Sequence, residues 1–564
     1  MRAWLALSFL LVCCASDEDG SSTGDDSGSG GTSQVSGGAN STSGRGGKGA
    51  GGSRAGSGSG ALGGTSSDAG AGDMPGDAGA DGTGAGRGGT PGSGGSVSSG
   101  GNGGRTGGAS GTGQGGSSGR GGGGLPPVSD AAIVGFGVNG QPRNWGTDGA
   151  GVRAALDLLV DDLGSNLFRV EIFRGESDWE AENDDGDPTN FDWTSYDAIF
   201  ESKDFRDLWD YIRYLNAKGV VDIELAAHGW VPGWMGGGEI DSSQRDEFVE
   251  TMLAVLLYAR TRAPEPRPIF TSFAPWNETN LGTSEGVAMG PEEGVGILRS
   301  LVERMNEYPE LDDLGIVAPE ASDAWESEPW QEPMVEDPVI APRLRAIGFH
   351  RYGDLYEVED WDNQPVPWWL TEFNAGEGFC YRANWGTGME LAIVLVRGLL
   401  SGVKAGMVWT DYDAPHSHSG DAWESFGLLA TTLDGVSYLC DAFPEPPSQS
   451  ELDQMTYEPK PTYYAAKHAF RHIQRGALRR SINEVEGIEW VAFDNPDGST
   501  VVYGLKSNDG DVEVELGDGA PTSMEVYVST EGDYYREAGE FTLENGSGSV
   551  DLPGDSVFTL VGGP

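Results

Sequence analysis

The feature that most constrains this chain is an alternation repeated eight times. Between residues 130 and about 475, short β-rich runs alternate with longer runs of helical period. The β-rich runs are AAIVGFG (131–137), NLFRVEI (166–172), VVDIELAA (220–227), PIFTSFAP (268–275), GIVAP (315–319), AIGFH (346–350), WWLTEF (368–373) and AGMVWTD (405–411). The clearest helical runs between them are GVRAALDLLVDDLG, FRDLWDYIRYLNAKG, RDEFVETMLAVLLYARTR, GVGILRSLVERMNEY and MELAIVLVRGLLSG. In the second of these, Lys218 and Gly219 stand where a helix stop belongs. Near-continuous apolar strands separated by amphipathic helices suit a parallel sheet covered on both faces. Eight such units over about 350 residues predict a (β/α)8 barrel, an α/β fold. An open doubly wound sheet is the alternative, but no GxGxxG or phosphate loop opens any of these helices.

The pattern changes after the helical run KPTYYAAKHAFRHIQRG (460–476). IEWVAFDNPDGSTVVYGLKS alternates apolar and polar residues around an NPDG turn, which signals a hairpin, and VEVEL, SMEVYVST, EFTLE and SVFTLV continue in that style. The chain therefore divides into a barrel over 126–478 and a small antiparallel β-sandwich over 479–564, expected to pack on the barrel. Residues 17–125 precede them as a Gly/Ser-rich stretch. Of the 92 glycines in the chain, 45 lie between residues 17 and 124, where there is no Phe, Trp or Tyr. Such a stretch cannot bury enough apolar surface to offset its chain entropy, so a disordered tether is expected.

Residues 1–16 read as an export signal. Arg2 precedes the apolar run AWLALSFLLV, which is too short to span a bilayer as a helix. The segment resembles a bacterial lipoprotein signal, with Leu11, Val12 and Cys13 ahead of an acylated Cys14; a plain secretory signal is the alternative. Either reading places the mature protein outside the cytoplasm, with lipid attachment putting it at the cell surface or outer membrane.

Charge narrows the partners. The leader carries one positive charge and the Gly-rich stretch a net three negative, so residues 125–564 hold −51 of the total −53. That density argues against nucleic acid, anionic lipid or an acidic polymer as partner. The acidic run ENDDGDPTN (182–190) lacks EF-hand spacing and reads as a solvated loop, and no Cys/His cluster has ligand spacing, so neither metal nor cofactor is expected.

In a barrel of this kind, reactive groups sit at the C-terminal ends of strands. Two of the eight runs end unusually. The fourth leads into Trp276-Asn277-Glu278, and the seventh contains Glu372 within WWLTEFN. Two carboxyls facing one space, one protonated and one ionised, are what glycoside hydrolysis requires. Apolar walls raise the pKa of the acid member. Tryptophan supports a sugar site independently, because the C–H face of a pyranose packs on an aromatic ring; 15 of the 17 tryptophans lie within 126–475.

The phrases APWNETNLG and WWLTEFN, and the tail YYAAKHAFRHI followed by VAFDNPDGS, resemble clan A of the retaining glycoside hydrolases, most nearly families 39 and 30. The resemblance spans residues 131–564 and implies a double-displacement glycosidase acting on a poly- or oligosaccharide. It implies Glu278 as general acid/base, Glu372 as nucleophile and Asn277 as a contact of the sugar 2-hydroxyl. It implies that Arg169 keeps the nucleophile ionised, that Tyr352 hydrogen-bonds it, that His350 lines the site and that Trp409 floors the sugar. His228 and Trp230, after the third strand, are expected to line the same subsite. The family pattern has proline after the acid/base glutamate, and Thr279 stands there instead. Cys380 and Cys440 fall in neighbouring loops after strands seven and eight; a disulfide is expected, with two free thiols as the alternative. The protein is expected to act as a monomer. A carbohydrate-binding protein on a non-catalytic barrel is the rival reading.

Overall fold

A computed structural model describes residues 132–563, apart from 141, 143–144, 147–148, 174, 184, 283–284, 353–359, 376–383, 414–425, 434–435 and 439–447. Cys14, Cys380, Cys440 and the Gly-rich stretch lie outside the described residues.

Eight parallel strands close into a barrel: β1 (Gly135–Gly140), β2 (Leu167–Ile172), β3 (Asp222–Ala227), β4 (Ser272–Ala274), β5 (Gly315–Ala321), β6 (Leu344–Tyr352), β7 (Trp368–Asn374) and β8 (Ala405–Val408). Closure is direct, with Gly135 opposite Ala405 and Gly137 opposite Met407. The expected strands are all present, but several are shorter than their apolar runs. β4 keeps only three residues of PIFTSFAP, and β8 ends before Trp409. β1 starts later than expected, because Ile133 and Val134 bond to Ala477 and Lys404 rather than to the ladder with β2.

The helices are α1 (Gly149–Asp157), α2 (Trp193–Phe200), α3 (Lys203–Ala217), α4 (Arg245–Leu257), α5 (Pro291–Met305), α6 (Ala324–Glu336), α7 (Trp385–Ser401), the short α8 (Gln449–Leu452) and α9 (Pro461–Phe470). Ser202 caps α3 by accepting from the Phe205 N–H. Gly219 follows that helix at φ +90°, as the NAKG signal predicts. α6 carries Pro329 and Pro333 inside it, which hid it from the sequence reading. Its buried Trp330 lies 5.9 Å from the Trp276 ring, so tertiary packing fixes this helix against its composition. Between β6 and β7 no helix occurs among the described residues. After β8, among the described residues, β9 (Leu429–Leu433), β10 (Val436–Tyr438) and β11 (Thr456–Pro459) form a three-stranded sheet where the sequence suggested a loop.

The C-terminal part is antiparallel, as expected. A six-stranded sheet runs in the order β12 (Leu478–Arg480), β13 (Ile488–Asp494), β14 (Thr500–Lys506), β19 (Ser556–Gly562), β16 (Ser523–Thr530), β17 (Asp533–Thr542). A ribbon of β15 (Gly510–Glu515) and β18 (Ser547–Leu552) covers one face, with Trp490, Val512, Val526, Leu552 and Phe558 between the layers. The other face contributes Val491, Phe493, Val501, Tyr503 and Val557 to the barrel's own core. Alternation along each strand thus feeds two cores. The Arg397–Glu489 pair, at 2.6 and 2.7 Å, adds a bidentate tie from α7 to β13.

Candidate active site

The inside of the barrel is layered. Val134, Leu167, Val317, Ala346, Trp369, Ala405 and Met407 form a separate apolar cluster. Side chains two residues further along a strand share the same face. On β2 that alternation places Arg169 and then Glu171 above Leu167. β3 contributes Glu224, and His228 follows the strand.

Arg169 is fully buried; its two terminal nitrogens donate hydrogen bonds, and its Nε lies within ion-pair distance of two carboxylates. Nη1 donates to Asn139 Oδ1 (2.9 Å) and Glu372 Oε2 (3.1 Å), and Nη2 donates to Asn277 Oδ1 (2.6 Å). Nε lies 3.0 Å from Glu320 Oε2 and 3.3 Å from Glu224 Oε1. Burial opposes its charge, but Glu320, Glu372, Glu224 and Glu171 more than offset that, and its pKa is raised.

Glu372 owes its aim to an irregularity. Phe349 pairs with Leu370 and His350 with Glu372, so β7 carries one extra residue, Thr371. A bulge of this sort turns the following side chain. Glu372 receives Arg169 on one oxygen and the Tyr352 hydroxyl on the other. Glu278, just past β4, holds a left-handed φ of +43°. Its Oε1 lies 3.1 Å from His350 Nδ1, and the same nitrogen is 3.4 Å from Glu372 Oε2. His350 Nε2 lies 3.4 Å from Glu320 Oε2. One oxygen of Glu278, one of Glu372 and a ring nitrogen of His350 fall within 4.8 Å of one another. Three such groups have the reach to hold a cation, but Arg169 and a protonated His350 compete for the same oxygens.

Burial alone would keep His350 neutral. Glu372 and the hydrogen bonds with Glu278 and Glu320 raise its pKa to about 10. Burial pushes the Glu278 carboxyl up, yet the hydrogen bond and charge of His350 prevail and lower it. At Glu372 burial prevails against His350 and Arg169, and its carboxyl is pushed up to about 7. Burial and Glu320 raise Glu224 well above the usual carboxylate range, whereas Arg169 and His350 hold Glu320 below it despite its burial. These groups share protons as one coupled set.

The structure brings together Arg169, Asn277, Glu278, His350, Tyr352 and Glu372. His228 and Trp409 adjoin them, with rings parallel to within 12° and centroids 6.4 Å apart. His228 Nε2 also lies 3.4 Å from Glu171 and 3.3 Å from Glu285. Trp230 stands outside this cluster, 49% exposed. The sequence reading missed Asn139, Glu171, Glu224, Glu285 and Glu320. Glu171 and Glu224 had a signal, a carboxylate inside an apolar strand run; Glu320, at the end of β5, had only its neighbours.

No protein-family model matches this sequence, and none of the curated proteins matches it. Solved structures do. The chain is similar to the glycoside hydrolase family 30 subfamily 8 xylanase Xyn30A from Clostridium acetobutylicum, with a TM-score of 0.56 at 16% identity over 78% of this chain and 98% of that one. A similar fold is found in the endo-β1,6-glucanase BT3312 (TM-score 0.52, 15% identity, 77% and 92% covered). It recurs in AbfB, a family 51 α-L-arabinofuranosidase from Bifidobacterium longum (TM-score 0.50, 13% identity, 77% and 96% covered). At these identities the likeness concerns the fold.

Proposed function

We propose that this chain is a retaining glycoside hydrolase that cleaves O-glycosidic bonds of a poly- or oligosaccharide. The observation that carries the reading is the approach of Glu278 and Glu372 to within 4.8 Å, oxygen to oxygen, at the mouth of the barrel. Retaining enzymes hold their carboxyls about 5–5.5 Å apart, whereas inverting enzymes need about 6.5–9.5 Å to admit a water.

Glu372, ionised and held by Arg169 and Tyr352, attacks the anomeric carbon as the bond to the leaving oxygen breaks. Glu278 gives that oxygen its proton. A water deprotonated by Glu278 then attacks the same carbon, breaks the glycosyl–Glu372 ester and releases the sugar with retained configuration. The proton Glu278 needs lies next to it, on His350 Nδ1. Substrate displaces water, and in the drier site a neutral His350–Glu278 pair, with the proton on Glu278, gains over the ion pair. Asn277 gives one amide hydrogen to the Glu285 carbonyl (3.1 Å), leaving the other for a sugar hydroxyl. Trp409 and His228 supply the wall of the sugar subsite, with Trp230 further out. The leader supports export and lipid attachment at Cys14. Among the described residues no helix is long and apolar enough to cross a membrane.

A panel of aryl glycosides, with xylan, β-1,6-glucan and arabinofuranosides added because the similar structures are named for those substrates, identifies a working substrate. On it, Glu278→Ala is expected to lose about 10²–10⁴-fold in kcat with a poor leaving group, and Glu372→Ala to lose activity altogether. The wild-type kcat/KM is expected to rise through about pH 7, as Glu372 ionises, and to fall near pH 10, as His350 gives up its proton. Full activity in both alanine variants would sink the assignment.

A further inference from the structure

Glu320 takes no part in either chemical step, yet it stands directly behind both catalytic carboxyls. On β5, Pro319 pairs with Gly348 and Ala321 with Phe349, so Glu320 is the extra residue of a bulge. Its φ of +58° is left-handed, which costs a non-glycine residue on the order of 1 kcal/mol or more. The side chain so aimed is fully buried. Its Oε2 meets Arg169 Nε at 3.0 Å and His350 Nε2 at 3.4 Å. Its own carbonyl accepts the Glu278 N–H at 2.8 Å. The far end of Arg169 reaches Glu372 at 3.1 Å, and the far nitrogen of His350 reaches Glu278 at 3.1 Å. β6 makes room for this: a Cβ at Gly348 would lie 1.8 Å from Glu320 Oε1.

We infer that Glu320 is the positioning residue that orients Arg169 and His350 together, and so decides which of the two catalytic carboxyls holds the proton; this rests on the glycosidase reading. A carboxylate on Nε2 keeps that nitrogen protonated, so Nδ1 can carry the second proton and direct it at Glu278. The charged and titratable groups around the ring are Glu278, Glu320 and Glu372 in contact, with Arg169, Glu224 and Tyr352 behind them. Taking the charge from Glu320 removes an anion from the imidazolium and makes its proton easier to lose.

The test compares Glu320→Gln, Glu320→Asp and Gly348→Ala in the full chain, on the aryl glycoside that the wild type hydrolyses. Glu320→Gln is expected to lower kcat roughly 10- to 100-fold, to leave KM within about threefold, and to move the alkaline limb of kcat/KM down by roughly one pH unit. Glu320→Asp keeps the charge, so it is expected to recover part of kcat with the limb near its wild-type position. Gly348→Ala displaces the carboxylate without touching a reacting group, and is expected to move the limb as Glu320→Gln does. A fall in kcat with an unmoved limb in Glu320→Gln, or in Gly348→Ala should Glu320→Gln fail to fold, overturns the inference. If Glu278→Ala and Glu372→Ala lose activity as expected on a substrate with a poor leaving group while Glu320→Gln matches the wild type in rate and profile, only this inference fails. If both alanine variants keep full activity on that substrate, the glycosidase reading fails first.

Discussion

Replacing Arg169 by lysine tests the structural reasoning most severely, because the charge is kept and only the fork is lost. The guanidinium donates to Asn139, Asn277 and Glu372 and lies in ion-pair contact with Glu224 and Glu320, at 2.6 to 3.3 Å. A lysine ammonium has three donors on one atom and cannot span them. At least two buried polar groups are left without a partner, and breaking a buried ion pair costs about 3–5 kcal/mol. The described part of the chain holds 385 residues. At about 2.1 cal/mol/K per residue its unfolding entropy is roughly 0.8 kcal/mol/K, so ~4 kcal/mol lowers Tm by about 5 °C. Losing the preorganised donors at the nucleophile is expected to lower kcat by about 10²–10³-fold. Losing the Nη1 contact also raises the Glu372 carboxyl further, so the acid limb of kcat/KM moves to higher pH. Calorimetry and pH-resolved rates on an aryl glycoside read both effects. An Arg169→Lys variant with kcat within twofold of wild type and Tm within 1 °C would refute the claim that the fork, rather than a point charge, builds the site.

Two further outcomes follow from the same contacts. Tyr352→Phe removes the hydroxyl on Glu372, a charge-assisted hydrogen bond of about 1.5–3 kcal/mol; kcat is expected to fall about 10- to 100-fold and the acid limb to rise, and an unchanged limb would show that Tyr352 does not reach the nucleophile. Asp222, buried at the opening of β3, accepts from Arg345 (2.6 Å), Thr271 (2.5 Å) and Arg475, which prevail over burial and lower its pKa. Its contribution to stability is complete above the ordinary value of 3.8 and is lost as pH falls through the depressed one. Asp222→Asn is expected to cost about 3–5 kcal/mol near neutral pH, with the two melting curves converging in acid; a constant Tm gap down to the acid limit would contradict this.

Much of the fold was legible because burial on both faces writes itself into sequence. Runs such as NLFRVEI and WWLTEF read as strands because every residue of β2 and β7 is buried. The NPDG turn set the β13–β14 hairpin, with Asp494 opposite Thr500. Strand ends were less legible, because a ladder stops where its neighbour turns away; the three residues of β4 show this. α6 was missed because its prolines argue for a break that Trp330 and Met334 override by packing. The sheet after β8 was missed because its strands are only three to five residues long.

At the site, the sequence by itself supplied the eight-fold alternation and the two glutamates at the ends of strands four and seven, while Arg169 on strand two entered through the family resemblance. The alternation and the glutamates follow from local periodicity and position along the chain. Only the tertiary structure decided that one guanidinium joins strands two, three, five and seven, and that bulges at Glu320 and Thr371 turn carboxylates inward. It also decided that His350 stands between Glu278 and Glu372. A bulge is a mismatch between two strands far apart in sequence, and the pKa of a buried carboxyl is set by charges on other strands. Neither quantity exists until the barrel closes.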